Sequence, residues 1–150
     1  MRRLAVSFLA AGVVLIILFF VGCGGGGDPV RSTLDRMTAS AHARDAAAVM
    51  ANLTADFQGG DGSSRADDEA LLRQYFAAYE SLDVRLEDVR IERSDSTARV
   101  RLRAVMTGRP REIAGLSGLL PSSAKYDFDF RMSKDGAGWK VAWASWAPAE

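Results

Sequence analysis

Alternation of apolar and charged side chains in two stretches limits what this chain can fold into. Arginines alternate with apolar residues in 98–106, and two aspartates and an arginine alternate with apolar residues in 126–132. Because successive side chains of a β-strand point to opposite faces, each stretch predicts a strand with one buried and one solvent-facing side. Strands of this kind are typical of an antiparallel sheet that is covered on one face only.

The strand that precedes these two changes the parity of its apolar residues. Val84 and Leu86 share one face, whereas Val89 and Ile91 share the other. A slip of one residue is what a β-bulge produces, and a bulge bends the strand that carries it. The sequence therefore predicts a bent strand with a bulge near Asp88.

A last strand is predicted after a tight hairpin turn in residues 135–138, which read Asp-Gly-Ala-Gly. Its alternation places Trp139, Val141 and Trp143 on one face and Trp146 on the other. A long connection with a modestly apolar middle, residues 108–123, separates the two preceding strands.

Helices are predicted before the sheet. Asp28 and Pro29 form a good helix start, with the aspartate as N-cap, and Asp45 is expected to cap a shorter helix ending near Leu53. Residues 54–65 read as a loop, or as a short strand around Phe57. The first helix carries an apolar stripe of Val30, Leu34, Met37 and Ala41.

A third helix is predicted to start at Ser64, where Asp67 completes a capping-box pattern, and to run to about Ser81. It is expected to bury Leu71, Leu72, Tyr75, Phe76 and Tyr79. Helices followed by antiparallel strands indicate an α+β fold with the helices packed on one side of a curved sheet.

The N-terminal segment has the plan of an export signal. Arg2 and Arg3 precede an uncharged run from Leu4 to Val21, which at about 18 residues is also just long enough to span a bilayer. The segment is therefore either a retained membrane helix or a signal that is removed before Cys23. Both alternatives place the domain outside the inner membrane.

The sequence Phe20-Val21-Gly22-Cys23 resembles the lipobox of bacterial lipoproteins, although Phe20 replaces the preferred leucine. The resemblance implies that residues 1–22 are a signal peptide and that Cys23 is the lipid attachment site and first mature residue. Residues 23–29 would then be an acylated cysteine and a glycine-rich tether, in a protein anchored in the cell envelope and facing the periplasm. Because Gly24 is not an aspartate, the family rule favours the outer membrane.

The glycines at 24–27 do not indicate a phosphate site, since no strand precedes them and no Lys-Ser or Lys-Thr follows. With a single cysteine and a single histidine, the chain can form neither an intramolecular disulfide nor a histidine-rich metal site. Nineteen basic residues balance nineteen acidic ones, so no electrostatic footprint for nucleic acid is expected. We expect no cofactor and no metal.

Taken together, the order helix, helix, "LTADF", helix, bent sheet and "YDFDFRMSKDGAGWKVAWASW" resembles the nuclear transport factor 2-like superfamily, which includes ketosteroid isomerase and scytalone dehydratase. The resemblance covers about residues 30–147 of a domain placed at 30–150. It implies a cone-shaped, cystatin-like sheet packed on N-terminal helices, with a ligand pocket inside. The expected lining is Tyr75, Tyr79, Met106, Tyr126, Phe128, Phe130, Trp139 and Trp143, although the same aromatic rings could simply fill the core.

No catalytic residue is assigned. Asp127 and Asp129 resemble the paired acids of ketosteroid isomerase, but the alternation directs them outward, towards the arginines of 99–103. His42 lies off the apolar stripe of its helix, and Asp56 is expected to order a loop. We therefore expect a non-catalytic binding or accessory domain for a small apolar ligand or an envelope protein, and a monomer or weak homodimer. The alternative is an isomerase or dehydratase that uses the pocket.

Replacement of the cysteine tests the predicted anchor. We expect Cys23→Ser to accumulate as an uncleaved precursor that carries no lipid, because the thiol is the acceptor of the acyl chains that give stable anchoring. Mass spectrometry of the membrane fraction measures both properties. Normal processing of the variant would contradict the lipoprotein interpretation.

Overall fold

The computed structural model describes residues 27–112, 120–136 and 138–150, so the predictions for residues 1–26, Cys23 included, lie outside the described residues. The described part is an α+β fold, as predicted. Its three helices are α1 (Pro29–His42), α2 (Ala46–Met50) and α3 (Arg65–Ala77). Its five strands are β1 (Leu53–Gly59), β2 (Tyr79–Arg93), β3 (Thr97–Pro110), β4 (Ser123–Asp135) and β5 (Gly138–Pro148).

One sheet contains all five strands in the order β1-β5-β4-β3-β2. Strands β2 to β5 pair antiparallel with their sequence neighbours, as the alternation predicted. The segment around Phe57, interpreted as a loop or a short strand, is strand β1, which pairs parallel with β5. The sheet therefore has one strand more than the four predicted from the alternation.

A β-bulge bends β2 at the predicted place. Glu87 pairs with Arg103, but the next paired residue, Arg90, lies opposite Arg101, so the register slips between them. Within this slip Asp88 has a φ of 51°, in the left-handed region that aspartate tolerates better than most residues. The bulge confirms the parity change read from the sequence and curves the sheet around the helices.

Side-chain caps fix the starts of the helices. The Asp28 carboxylate accepts the Val30 N–H at 2.9 Å and starts α1, and the Asp45 carboxylate accepts the Ala48 N–H at 2.9 Å and starts α2. The predicted capping box of α3 is present, with Ser64 and Asp67 each accepting the other's backbone N–H. Caps of this kind stabilise a helix by about 1 kcal/mol each.

Helix α3 is shorter than predicted. It ends at Ala77, and Tyr79 already begins β2, where its ring is 1% exposed and its hydroxyl donates to the Pro121 carbonyl at 2.9 Å. Tertiary burial of this ring in the sheet outweighs the helical spacing that placed it on α3. The prediction that Leu71 is buried is also wrong, since 53% of that residue is exposed.

The core lies between the concave face of the sheet and the helices. Val30 and Leu34 of α1 pack there with Val100 of β3 and Val141 of β5, all of them at most 2% exposed. Among the residues that the structure describes, no helix is both long and apolar enough to cross a membrane.

A buried polar network joins α1 to the sheet. Thr33, which is fully buried, donates its hydroxyl to the Trp139 carbonyl at 3.0 Å and accepts from Arg36 Nη2 at 2.8 Å. Arg36 also donates through Nε to Asn52 Oδ1 at 3.3 Å, and Asn52 donates to the Ala48 carbonyl at 2.9 Å. One threonine hydroxyl thus connects α1, β5 and the end of α2.

Removal of that hydroxyl tests the network. We expect Thr33→Val to lower the free energy of unfolding by about 1–3 kcal/mol, because an arginine donor and a backbone carbonyl lose a buried partner. Thr33→Ser keeps the hydroxyl and is expected to retain most of the stability. Urea unfolding followed by tryptophan fluorescence measures both variants, and equal losses in the two would assign the effect to packing alone.

Candidate functional site

A cavity of about 340 Å³ lies between the concave face of the sheet and the helices. All five strands contribute to its floor and all three described helices to its walls. Its volume is within the range of about 300–1,000 Å³ that is usual for small-molecule sites. The side chains that matter for its chemistry are Ala41, Asp68, Leu71, Tyr75, Leu86, Ala104, Met106, Tyr126, Phe128, Phe130, Ala144 and Trp146.

Small side chains help to leave this space unfilled. Ala41 of α1, Ala104 of β3 and Ala144 of β5 all line the cavity, and each extends no further than its Cβ atom. The bend of β2 at Asp88 adds to the space by curving the sheet. A flat sheet with larger side chains at these positions would close against the helices, because protein interiors pack densely wherever shape permits.

The structure places the predicted lining residues in three groups. Tyr75, Met106, Tyr126 and Phe128 lie on the cavity wall, as does Phe130. Tyr79 and Trp139 are buried, at 1% and 4% exposure, but neither is part of the wall. These two rings pack the core beside the cavity. Trp143 lies elsewhere.

Trp143 does not face the cavity, which corrects the expectation from the alternation. Met132 pairs with Val141 and Arg131 pairs with Trp143, so Ala142 is an extra residue and the register shifts. This second bulge turns Trp143 to the opposite face, where the Arg131 guanidinium lies 4.4 Å from the centre of its ring. The same shift brings Ala144 and Trp146 onto the cavity wall.

Trp146 and Asp68 are two wall residues that the sequence analysis missed. The Trp146 ring packs edge-to-face against Tyr126, with 5.5 Å between the ring centres. Tryptophans occur at both parities in 139–146, so the alternation alone could not locate the bulge between them.

Tyr75 supplies a hydroxyl to the cavity. It donates to the Met106 thioether at 3.7 Å, a weak acceptor, and its ring centre lies 5.0 Å from that of Tyr79. Burial raises the pKa of the Tyr75 hydroxyl well above its usual range, and the neighbouring Tyr79 hydroxyl raises it further. The group therefore stays protonated and can donate a hydrogen bond to a ligand in place of the thioether.

The cavity reaches the surface beside two exposed apolar side chains. Leu71 of α3 and Trp146 of β5 line it, and each is 53% exposed. Asp68, in the first turn of α3, lies on the same wall and is half-buried. We call these three residues the mouth of the cavity.

The other candidate acids lie on the outer face, as predicted. Asp127 accepts two hydrogen bonds from Arg103 at 2.8 and 3.1 Å, and Asp129 accepts two from Arg99 at 3.1 and 2.6 Å. These bonds hold the pKa of both carboxyl groups below the usual range. Both aspartates therefore remain ionised and paired at neutral pH, away from the cavity.

His42 and Asp56 also lie outside the cavity wall. The His42 side chain is 43% exposed at the end of α1, where Nε2 lies 2.8 Å from the Val84 carbonyl oxygen, 2.9 Å from the Val84 nitrogen and 3.3 Å from Asp83 Oδ1. Asp56 occupies an exposed position in strand β1 rather than a loop. Across the ranges 27–112, 120–136 and 138–150, no group of three or more histidine, cysteine or acidic side chains could hold a metal ion.

No protein-family model and no curated protein matches the chain in sequence. Solved structures match its fold. A candidate scytalone dehydratase of Novosphingobium aromaticivorans superposes with a TM-score of 0.70 at 12% identity, covering 81% of this chain and 83% of that chain. A candidate dehydratase of the nuclear transport factor 2-like family from Streptomyces avermitilis has a TM-score of 0.66 at 15% identity, covering 81% and 94%.

A protein of unknown function with a cystatin-like fold, from Nostoc punctiforme, has a TM-score of 0.62 at 10% identity and covers 81% of this chain and 89% of that chain. Identities this low show the fold alone. The described chain thus has a nuclear transport factor 2-like fold, which confirms the fold expected from the resemblance.

Alkaline unfolding tests the environment of Tyr75. An unfolded tyrosine loses its proton near pH 10, whereas Tyr75 keeps it in the folded state, so stability falls as pH rises above about 10. We expect Tyr75→Phe to weaken this fall, because the variant lacks the raised pKa. Urea unfolding from neutral pH to about pH 11 measures the slope. An unchanged slope would show that Tyr75 titrates normally.

Proposed function

We propose that this chain is an envelope-anchored lipoprotein whose domain binds a small apolar molecule in the cavity. One observation carries the binding proposal. An apolar cavity of about 340 Å³ remains unfilled inside the domain and reaches the surface beside half-exposed Leu71 and Trp146. Binding of an apolar ligand removes this apolar surface from water, which lowers the free energy of the complex.

The anchoring part of the proposal rests on the sequence around Cys23 and on the start of α1. The glycines at 24–27 lead directly into Asp28 and Pro29, which begin the first helix. Residues 24–28 reach at most roughly 17 Å at about 3.4 Å per residue. The domain would therefore stay close to the membrane surface.

Asp28, at the start of α1, and Met106 of the cavity wall lie towards different ends of β3. Asp28 pairs with Arg93 at 3.1 Å, and Arg93 lies opposite Ala98 at the start of β3. The cavity wall instead includes Met106, towards the other end of β3. The start of α1 is therefore separated along β3 from the part of the cavity that Met106 lines.

An isomerase or dehydratase activity is the second candidate. The fold is shared with candidate dehydratases, and a carboxylate, Asp68, lines the cavity. General acid–base catalysis needs a titratable group within hydrogen-bond reach of the reacting atoms. Asp68 lies at the mouth, and the other candidates, His42, Asp127 and Asp129, are engaged outside the cavity. The geometry therefore favours binding over chemistry.

Filling the cavity tests the proposed function. We expect decanol to bind to the full-length protein in lipid nanodiscs and to change tryptophan fluorescence, because Trp146 lies at the mouth. Ala144→Phe puts a ring into the cavity and is expected to weaken binding by at least about tenfold, a change of about 1.4 kcal/mol.

Ala147→Phe is the matched control, since Ala147 is exposed and lies opposite Asp127, whose side chain faces outward. It is expected to leave decanol binding unchanged. Partition of decanol into the bilayer is the same for every variant. The ratio of the apparent Kd of a variant to that of wild type is therefore independent of this partition. Equal apparent Kd values for wild type and Ala144→Phe would overturn the cavity as the binding site.

A further inference from the structure

We infer that the ligand of this cavity is a cationic amphiphile, whose apolar tail fills the cavity and whose positively charged nitrogen lies at the mouth. The inference rests on the proposed function and adds the chemical class of the ligand. It is carried by three features of the cavity within the described residues: one lining carboxylate with no partner, two aromatic rings on the same cavity wall, and an otherwise apolar interior.

The carboxylate is that of Asp68. In the first turn of α3 three acidic side chains follow one another, and two of them are engaged: Asp67 completes the capping box with Ser64, and Glu69 pairs with Arg73 at 2.6 Å. Within the described residues, Asp68 accepts no side-chain or backbone hydrogen bond and has no ion-pair partner. It is also the one charged side chain of the three that lines the cavity.

Because Asp68 lines the cavity, its charge acts on the head group of a bound ligand. A half-buried carboxylate beside an apolar cavity acts through a lower dielectric than one in open water, so a cation at the mouth is attracted more strongly. An anionic head group at the same place would be repelled by the same charge. Asp68 therefore selects among amphiphiles by the sign of the head group.

The aromatic rings of Trp146, at the mouth, and of Tyr126, on the cavity wall, favour the same sign. Trp146 and Tyr126 pack edge-to-face with ring planes at 87°, and both line the cavity. With 53% of Trp146 exposed, its ring remains accessible from the mouth. Aromatic faces attract cations, and clusters of aromatic rings are the usual recognition surface for quaternary ammonium groups.

The interior determines the rest of the ligand. The wall beyond the mouth consists of side chains such as Leu86, Leu102, Phe128 and Phe130, with the Tyr75 hydroxyl as a polar group. Burying apolar area there stabilises a complex by roughly 25 cal/mol per Å² before the costs of association. The tail thus provides affinity and the head group provides discrimination.

The test compares four ligands with one decyl chain and different head groups: decyltrimethylammonium, decylphosphocholine, decanol and decanoate. Each is titrated, as monomer, into the full-length protein in nanodiscs, and tryptophan fluorescence gives an apparent Kd for wild type and for Asp68→Asn. The ratio of the two Kd values cancels the partition of each ligand into the bilayer.

We expect Asp68→Asn to weaken decyltrimethylammonium binding about fivefold, since the lost attraction is that of a partly exposed charge pair. Decanol is expected to show a ratio near one, and decanoate to bind more tightly to the variant. Glu69→Gln removes a negative charge from the same helical turn, at a side chain that does not line the cavity. It is expected to change the apparent Kd of each ligand less than about twofold relative to wild type.

Decylphosphocholine distinguishes two sources of the cation. A ratio equal to that of the trimethylammonium ligand supports a zwitterionic lipid headgroup as the natural source, and a ratio near one supports a free alkylamine. Equal ratios for decyltrimethylammonium, decanol and decanoate would overturn the inference, because Asp68 would then act on the fold alone. In that case, loss of decanol binding in Ala144→Phe would still support the proposed function. Decanol binding that is unchanged in Ala144→Phe would overturn the proposed function itself.

Discussion

Two of the register shifts in this sheet, in β2 and in β5, shape the concave face that bounds the interior space of the domain. In β2 the slip between Glu87 and Arg90, with Asp88 at a φ of 51°, bends the strand, and in β5 the extra residue Ala142 shifts the pairing with β4. A bulge increases local twist and re-aims the side chains that follow it. The helices therefore meet a curved surface, and a cavity of about 340 Å³ remains between them and the sheet.

Charged side chains on the outer face determine which side of the sheet faces solvent and which side packs against the helices. The two-pronged pairs of Arg99 with Asp129 and of Arg103 with Asp127 are exposed, and exposed pairs add at most about 1 kcal/mol each. Their main effect is on orientation, because a slip of one residue in either strand would bury the two charges that this strand contributes to the pairs. The charged alternation thus fixes which face closes over the cavity.

The sequence predicted the parts of the fold that have a local chemical signature. The caps at Asp28, Asp45 and Ser64 and the parity change at Asp88 all have such signatures, and each appears where expected. The bulge at Ala142 has none, because the tryptophans of β5 fit either parity. The end of α3 was misplaced for a related reason: the apolar spacing continues to Tyr79, and only burial in the sheet assigns that ring to β2.

The same limit explains how the candidate site divides between predicted and unpredicted residues. Tyr75, Met106, Tyr126 and Phe128 belong to helices or strands whose register the pattern determines, and they line the cavity. The position of Trp146 on the wall depends on the register shift in β5. Within the described residues, the free carboxylate of Asp68 depends on the capping box, which engages its neighbour Asp67 instead. These two residues are the ones that give the mouth its chemistry. Residues that build a fold follow its period, whereas Trp146 is placed by a register shift and Asp68 by its position beside a capping box.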